Sequence, residues 1–268
     1  GRAAACAGRH REGPWAPLAR MGEHAEQWAW RHARALGVLH VAYFAAFTAY
    51  RVAARGAHVA LVETLWVCNI SLLLYGVGCL LRSRRLVLLA VGVNAFPHLT
   101  WYLDVLLYAL IGKMPFGRAK YMLWEGVTLL ENVSSLHHAW FLPLAFPLVR
   151  DLGGLDWRCA TLDFHVLVLP LYVVGTLATP EYVGGRYVNV NMVHSMWKDS
   201  HVEFFHQFDP TPEYAGTDMR ARITYFFVAQ LAGIWLFGFP CFVALRALYA
   251  AATRVWPPAP PPATKKAD

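Results

Sequence analysis

Three features of this sequence predict an all-α fold, a polytopic membrane helix bundle. Hydrophobic residues fill 57% of the 268 positions and charged residues only 15%, with a mean hydropathy of +0.35, too apolar for a soluble domain of ordinary composition. Apolar segments recur at the length of roughly 20 residues that a helix needs to cross about 30 Å of hydrocarbon. Lysine and arginine gather in short clusters between those segments, the pattern of membrane-flanking loops. The formal charge of +7 therefore does not signal a nucleic-acid partner, which would call for one continuous basic stripe.

The first 20 residues, GRAAACAGRHREGPWAPLAR, are rich in Arg and Ala and carry one acid, Glu12. They read either as a stretch upstream of a start at Met21 or as a targeting segment, so 1–33 is set apart as an N-terminal extension. Residues 34–250 form the expected six-helix transmembrane domain. Its spans are expected at Arg34 to Ala54, His58 to Leu81, Leu86 to Ile111, Gly126 to Val149, Ala160 to Ala178 and Ile223 to Ala250. Pro143, Pro147 and Pro170 interrupt the fourth and fifth, which a bundle tolerates where neighbours re-satisfy the freed backbone groups. Most of the 24 Lys and Arg fall on the side that holds both termini, which the positive-inside rule makes cytoplasmic.

The long loop of 179–222 is polar but dense in aromatics, so part of it is expected to fold back onto the bundle. Its His194, His201 and His206 match none of the short metal-binding spacings and read as surface or interface groups. Trp197, Phe204 and Phe205 beside them read as a membrane-interface helix. Residues 251–268 are a Pro-rich cytoplasmic tail ending in Lys265 and Lys266, which resembles the dilysine signal that returns membrane proteins to the endoplasmic reticulum. Endoplasmic reticulum is accordingly the expected location.

The five cysteines have no CxxC pair and no regular spacing, so neither a zinc site nor a disulfide framework is signalled, and no metal or other cofactor is expected. Ionisable and polar groups in hydrocarbon cost several kcal/mol unless they face a partner, so intramembrane histidines mark a functional site. Counted from each helix start at 1.5 Å per residue, Cys68, His98 and His138 fall about 15 to 18 Å deep, near the midplane. Asn94 and His98 share a face at i, i+4, while Glu131, Ser134, Ser135 and His138 form one stripe. Asn69 adjoins Cys68, and Asp104 adds to the polar interior.

A thiol beside an imidazole suits nucleophilic catalysis on an acyl ester, because the imidazole takes the thiol proton and the covalent intermediate divides one difficult transfer into two easier ones. Cys68 is the candidate nucleophile and His138 the base, with His137 as the alternative base. The two histidines stand about 100 degrees apart on a continuous helix, which predicts that only one faces the site. Ser134, four residues before His138, is a rival nucleophile that would need a better-aligned base. Each group also has a plainer reading: free cysteine is among the most buried residue types, and bundle histidines often bond a neighbouring helix.

Cys68-Asn69-Ile70, Ala95-Phe96-Pro97, the run from His138 to Leu144, and Asn189-Val190-Asn191-Met192 carry a resemblance. Together with the six-helix layout they resemble the transmembrane protein 164 group, between Glu63 and Trp197. That group is similar to bacterial six-helix integral membrane proteins and, more distantly, to the androgen-induced-gene family of intramembrane hydrolases of fatty-acid esters. The resemblance implies acyl chemistry on membrane lipids or fatty-acyl esters, with Cys68 at the position of the cysteine, His138 or His137 at that of the histidine, and Asn191 at a recurrent asparagine. Here the residue after Cys68 is Asn rather than His or Asp, and two histidines stand where the group has one. The expected function is a lipid acyl-ester hydrolase or acyltransferase whose site is lined by Asn69, Asn94, His98, Glu131, Ser134, Ser135 and Asn191. A non-catalytic membrane protein, transporter or structural subunit, is the alternative.

Overall fold

The computed structural model describes residues 30, 32–125, 127–160, 197–207 and 234–258, with 165–166, 169–171, 173–174, 179, 182–183 and 186–188 between them. Among these residues the regular secondary structure is helical except for one ladder, in which β1 (Tyr182–Val183) pairs antiparallel with β2 (Arg186–Tyr187). The N-terminal extension, most of the expected fifth span, Asn191, His194, the start of the sixth span and the last ten positions lie outside them.

α1 (Ala33–Arg55) is a single apolar helix that stops at Gly56, whose φ of 83° ends it abruptly. With Trp235–Val255 it is one of two helices long and apolar enough to cross a membrane unaided. Two bent pairs reach that standard when each is taken as one span, giving up to four among the described residues. The first pair is α2 (Ala57–Thr64) and α3 (Val67–Leu80), bent by 73°. The second is α4 (Arg84–Val93) and α5 (Ala95–Ile111), bent by 41°.

Each break has a chemical cause. Trp66 takes an extended ψ of 131° between α2 and α3, and the Asn69 amide donates to the Glu63 carbonyl at 2.8 Å, bracing the corner from within. Pro97 sits in the first turn of α5, where its missing N–H is tolerated but where it cannot prolong the α4 ladder. The expected fourth span divides at Leu136 into α6 (Leu129–Ser135) and α7 (His137–Asp151). α6 opens with a capping box in which Thr128 and Glu131 satisfy each other's backbone amides. Pro143 inside α7 leaves the Ala139 carbonyl without its helical donor, and the Tyr102 hydroxyl from α5 donates to it at 3.3 Å.

α1 and α3 pack through glycines. A Cβ on Gly37 would lie 2.9 Å from the Gly76 carbonyl oxygen, and one on Gly76 would lie 2.8 Å from Val41 Cγ2, so the two backbones approach as only small residues permit. The core of Leu72, Tyr75, Val87, Phe141, Ala145 and Val149 fills the space between α3, α4 and α7, and Phe242, Leu245 and Tyr249 of α10 (Phe239–Val255) close it. Two short helices complete the order, α8 (Trp157–Ala160) and α9 (Glu203–His206).

The segment of 197–207 does fold back. His201 and Met114 exchange two hydrogen bonds, Met114 N–H donating to His201 Nδ1 at 2.9 Å and His201 N–H to the Met114 carbonyl at 3.1 Å. Ser200 donates to the Pro115 carbonyl, and a Cβ on Gly117 would overlap the Asp199 backbone at 2.3 Å. Asp104 pins the other side of this loop by accepting from the amides of Phe116, Arg118 and Ala119. His201 and His206 are thus bonded to backbone, His206 Nε2 meeting the Ser200 carbonyl at 2.9 Å.

Candidate active site

Cys68 lies one residue into α3, directly after the 73° corner, and is buried. A thiolate formed there meets the partial positive charge of a helix N-terminus and the guanidinium of Arg51, which is close enough to interact electrostatically with it. Among the described residues the thiol makes one long contact, 3.9 Å to Asn69 Oδ1. His137 and His138 open α7 after the break at Leu136. One ligand atom from each of Cys68, His137 and His138 falls within 4.8 Å of the others, and all three side chains are buried.

The expectation that only one of the two histidines faces the site is corrected by this arrangement. It rested on a continuous helix through 126–149, whereas the backbone turns at Leu136, and the two imidazole centroids stand 4.1 Å apart on one side. The stripe from Glu131 to His138 is interrupted for the same reason. The depths counted along unbroken helices change too, since Cys68 begins a helix rather than lying midway along one.

The local backbone sets the protonation of both rings. His137 Nδ1 meets the Ser134 carbonyl at 3.1 Å and His138 Nδ1 meets the Ser135 carbonyl at 2.9 Å. A carbonyl only accepts, so each Nδ1 carries the proton and each neutral ring keeps its lone pair on Nε2. Among the described residues His137 Nε2 is buried without a hydrogen-bond partner, and so is Nε2 of His98. His98 lies against His138 with ring centroids 4.8 Å apart and is itself fully buried.

The remaining expected residues divide between site and support. Asn94 is buried at the α4–α5 junction, where its amide donates to the Ala90 carbonyl at 3.1 Å. It positions the helix that carries His98. Ser134 and Ser135 both donate to the Glu131 carbonyl, so neither hydroxyl is aimed at an imidazole, and their own carbonyls are what hold the two histidines. Ser134 is thereby a supporting residue in this geometry. Glu131 belongs to an ion-pair bridge, with Arg55 held between Glu63 and Glu131 and joining the end of α1 to α2 and α6. Asn191 lies outside the described residues.

Aromatic side chains and one cation that spacing did not single out complete the cluster. Trp101 stacks on His138 at 5.6 Å and an interplanar angle of 17°, and Phe47 stacks on His137 at 6.3 Å and 8°. Tyr43 donates to the Ser134 carbonyl at 2.6 Å, sharing that oxygen with His137. Arg51 lies over the Phe47 ring at 4.8 Å and interacts electrostatically with His137 and His138 as well as with Cys68. A basic residue one turn before the end of an apolar span was the available signal, and it read only as a membrane-flanking charge.

Comparison of the chain with models of known families, with curated proteins and with solved structures finds no match.

Proposed function

We propose that this chain is an integral membrane enzyme that transfers or hydrolyses the acyl group of a lipid ester, with Cys68 as nucleophile and His138 as general base. The reading carries the full six-span arrangement with both termini cytoplasmic, and the endoplasmic reticulum as location. The observation that supports it is the approach of the buried Cys68 thiol to two imidazoles whose lone pairs are set by backbone carbonyls. His138 is preferred over His137 because it keeps 8% exposure against 1%, leaving it the more open to a substrate.

In the first half-reaction His138 Nε2 takes the thiol proton as sulfur attacks the ester carbonyl, and the imidazolium returns that proton to the departing alcohol oxygen. A thioester to Cys68 remains. In the second half-reaction Nε2 takes a proton from water or from an acceptor hydroxyl, whose oxygen displaces sulfur, and the thiol is re-protonated. Water gives a fatty acid and a hydroxyl-bearing lipid gives a new ester. The apolar surroundings, Trp101 and Phe47 above all, favour transfer to lipid by limiting water.

The test is labelling of detergent-purified protein by a lipid-like thiol electrophile in wild type, Cys68→Ala and His138→Gln. Labelling is expected to vanish in the first variant and fall at least tenfold in the second. Equal labelling of all three would return the chain to the transporter or structural reading.

A further inference from the structure

The geometry points to a metal site on the same three side chains: Cys68, His137 and His138 form a three-ligand centre for a borderline-soft divalent cation of the zinc type, with His98 flanking its fourth position. The inference does not rest on acyl transfer, since it needs ligand atoms and not nucleophilicity. Four observations carry it. The three ligand atoms lie within 4.8 Å of one another, whereas ligands around tetrahedral zinc are about 3.3 to 3.8 Å apart, given Zn–N near 2.0 Å and Zn–S near 2.3 Å. Side-chain movements of about 1 Å therefore close the set.

Each histidine also donates Nδ1–H to a backbone carbonyl, the outer-shell bond that orients ligating imidazoles and leaves Nε2 free for a metal. Among the described residues His137 Nε2 is buried and unpartnered, a costly condition that a cation would relieve. His98, 4.8 Å from His138 by ring centroid, presents a second buried Nε2 without a partner among the described residues. One thiolate with imidazoles selects zinc over magnesium or calcium, which take oxygen ligands. The helices α3 and α7 supply the ligands separately, so no short sequence spacing announces them.

Binding replaces the S–H bond of Cys68 by a metal–sulfur bond and releases the proton to solvent, while the imidazoles bind as neutral donors. With the ion in place the sulfur is a ligand, and the acyl step cannot begin until the ion leaves. Zinc occupancy is thus a means of holding the thiol inactive.

The test uses the metal-stripped full chain in detergent, titrated with Co²⁺ and then with Zn²⁺. Wild type is expected to develop a near-ultraviolet sulfur-to-cobalt band and tetrahedral visible bands at one equivalent, with the sulfur band absent from Cys68→Ser. Stoichiometric Zn²⁺ should erase both and slow alkylation of Cys68 at least tenfold, read by peptide mass spectrometry with the half-buried Cys241 as the unaffected internal control. His137→Gln should weaken cobalt binding at least tenfold. Absence of the wild-type band, persistence of the band in Cys68→Ser, or alkylation of Cys68 indifferent to zinc would each overturn the proposal, and the last needs no variant to fold. Acylation of Cys68 without a cobalt band removes the metal and leaves the acyl reading, whereas a cobalt band with no acylation of the metal-stripped protein does the reverse.

Discussion

His138 presents its imidazole to Cys68 because its Nδ1 is tied 2.9 Å away to the carbonyl of Ser135, the last residue of the preceding short helix. The break at Leu136 is therefore a positioning device. It frees the final carbonyls of α6 from helical bonds and offers them to the two rings that open α7.

Altering the backbone at this break tests the device. Leu136→Ala, a better helix former at a half-turn break, removes the side chain but leaves the carbonyl bonds available. The account expects only a modest loss of thiol labelling from it. Pro substituted for Leu136 should instead abolish labelling while the bundle persists by circular dichroism.

Arg55 spans two carboxylates on different helices. Arg55→Met keeps the apolar stem and removes the guanidinium that holds Glu63 and Glu131 together, while Glu63 keeps its 3.7 Å contact with Arg51. Breaking a buried pair in this way costs about 3 to 5 kcal/mol, and partial exposure places the expected loss at the lower end. Thermal unfolding in detergent measures it, and the double variant with Glu131→Gln should recover part of the loss.

The α1–α3 contact at Gly37 and Gly76 predicts a steric cost. A Gly76→Val side chain would start 2.8 Å from Val41 Cγ2 and 3.1 Å from the Gly37 carbonyl oxygen. Overpacking of this kind costs about 1 to 3 kcal/mol, and because α3 carries Cys68 the loss should reach the site as slower thiol labelling.

Asp104 holds the loop after α5 through three backbone amides. Asp104→Ala removes the two oxygens that serve all three amides, with an expected cost of about 1 to 3 kcal/mol per buried donor left unpaired and water admitted to offset part of it. Hydrogen exchange at Phe116, Arg118 and Ala119 should accelerate while exchange in α3 and α7 stays slow.

Tyr121 lies in the turn of Lys120–Leu123, outside the helices long and apolar enough to cross a membrane. Burial pushes its phenol up from 10.0 to about 12. A group whose folded value is raised contributes its stability fully below the unfolded value, so this contribution is constant below pH 10 and lost as pH rises from about 10 to 12. Tyrosinate absorbance, compared with Tyr121→Phe, should show that phenol ionising near pH 12.

Much of this arrangement is readable from residues alone. The apolar stretch from Arg34 to Ala54 becomes one helix because nothing in it interrupts the backbone ladder, and Cys68 and His138 were paired by chemistry before geometry. The corner after Thr64 was not legible, since Leu65 and Trp66 are as apolar as their neighbours and the bond that braces it, from Asn69 to the Glu63 carbonyl, is tertiary in character. Periodicity assumes an unbroken helix, and so it admits His137 only as an alternative to His138 and not beside it. Arg51 and Arg55 looked like ordinary flanking charges, and only folding brings Glu63 and Glu131 to Arg55. The prolines at 143 and 147 warned of a disturbed helix but not that the actual break lies earlier, at Leu136.

The central claim, that Cys68 carries an acyl group in turnover, is tested most directly by intact-protein and peptide mass spectrometry of metal-stripped protein after brief incubation with a mixture of fatty-acyl esters in detergent micelles. The account predicts a mass increase of one acyl chain on the Cys68 peptide, released by neutral hydroxylamine as a thioester is, absent in Cys68→Ala and at least tenfold smaller in His138→Gln. No acyl adduct, or an adduct carried by Ser134 and unchanged in Cys68→Ala, would contradict it.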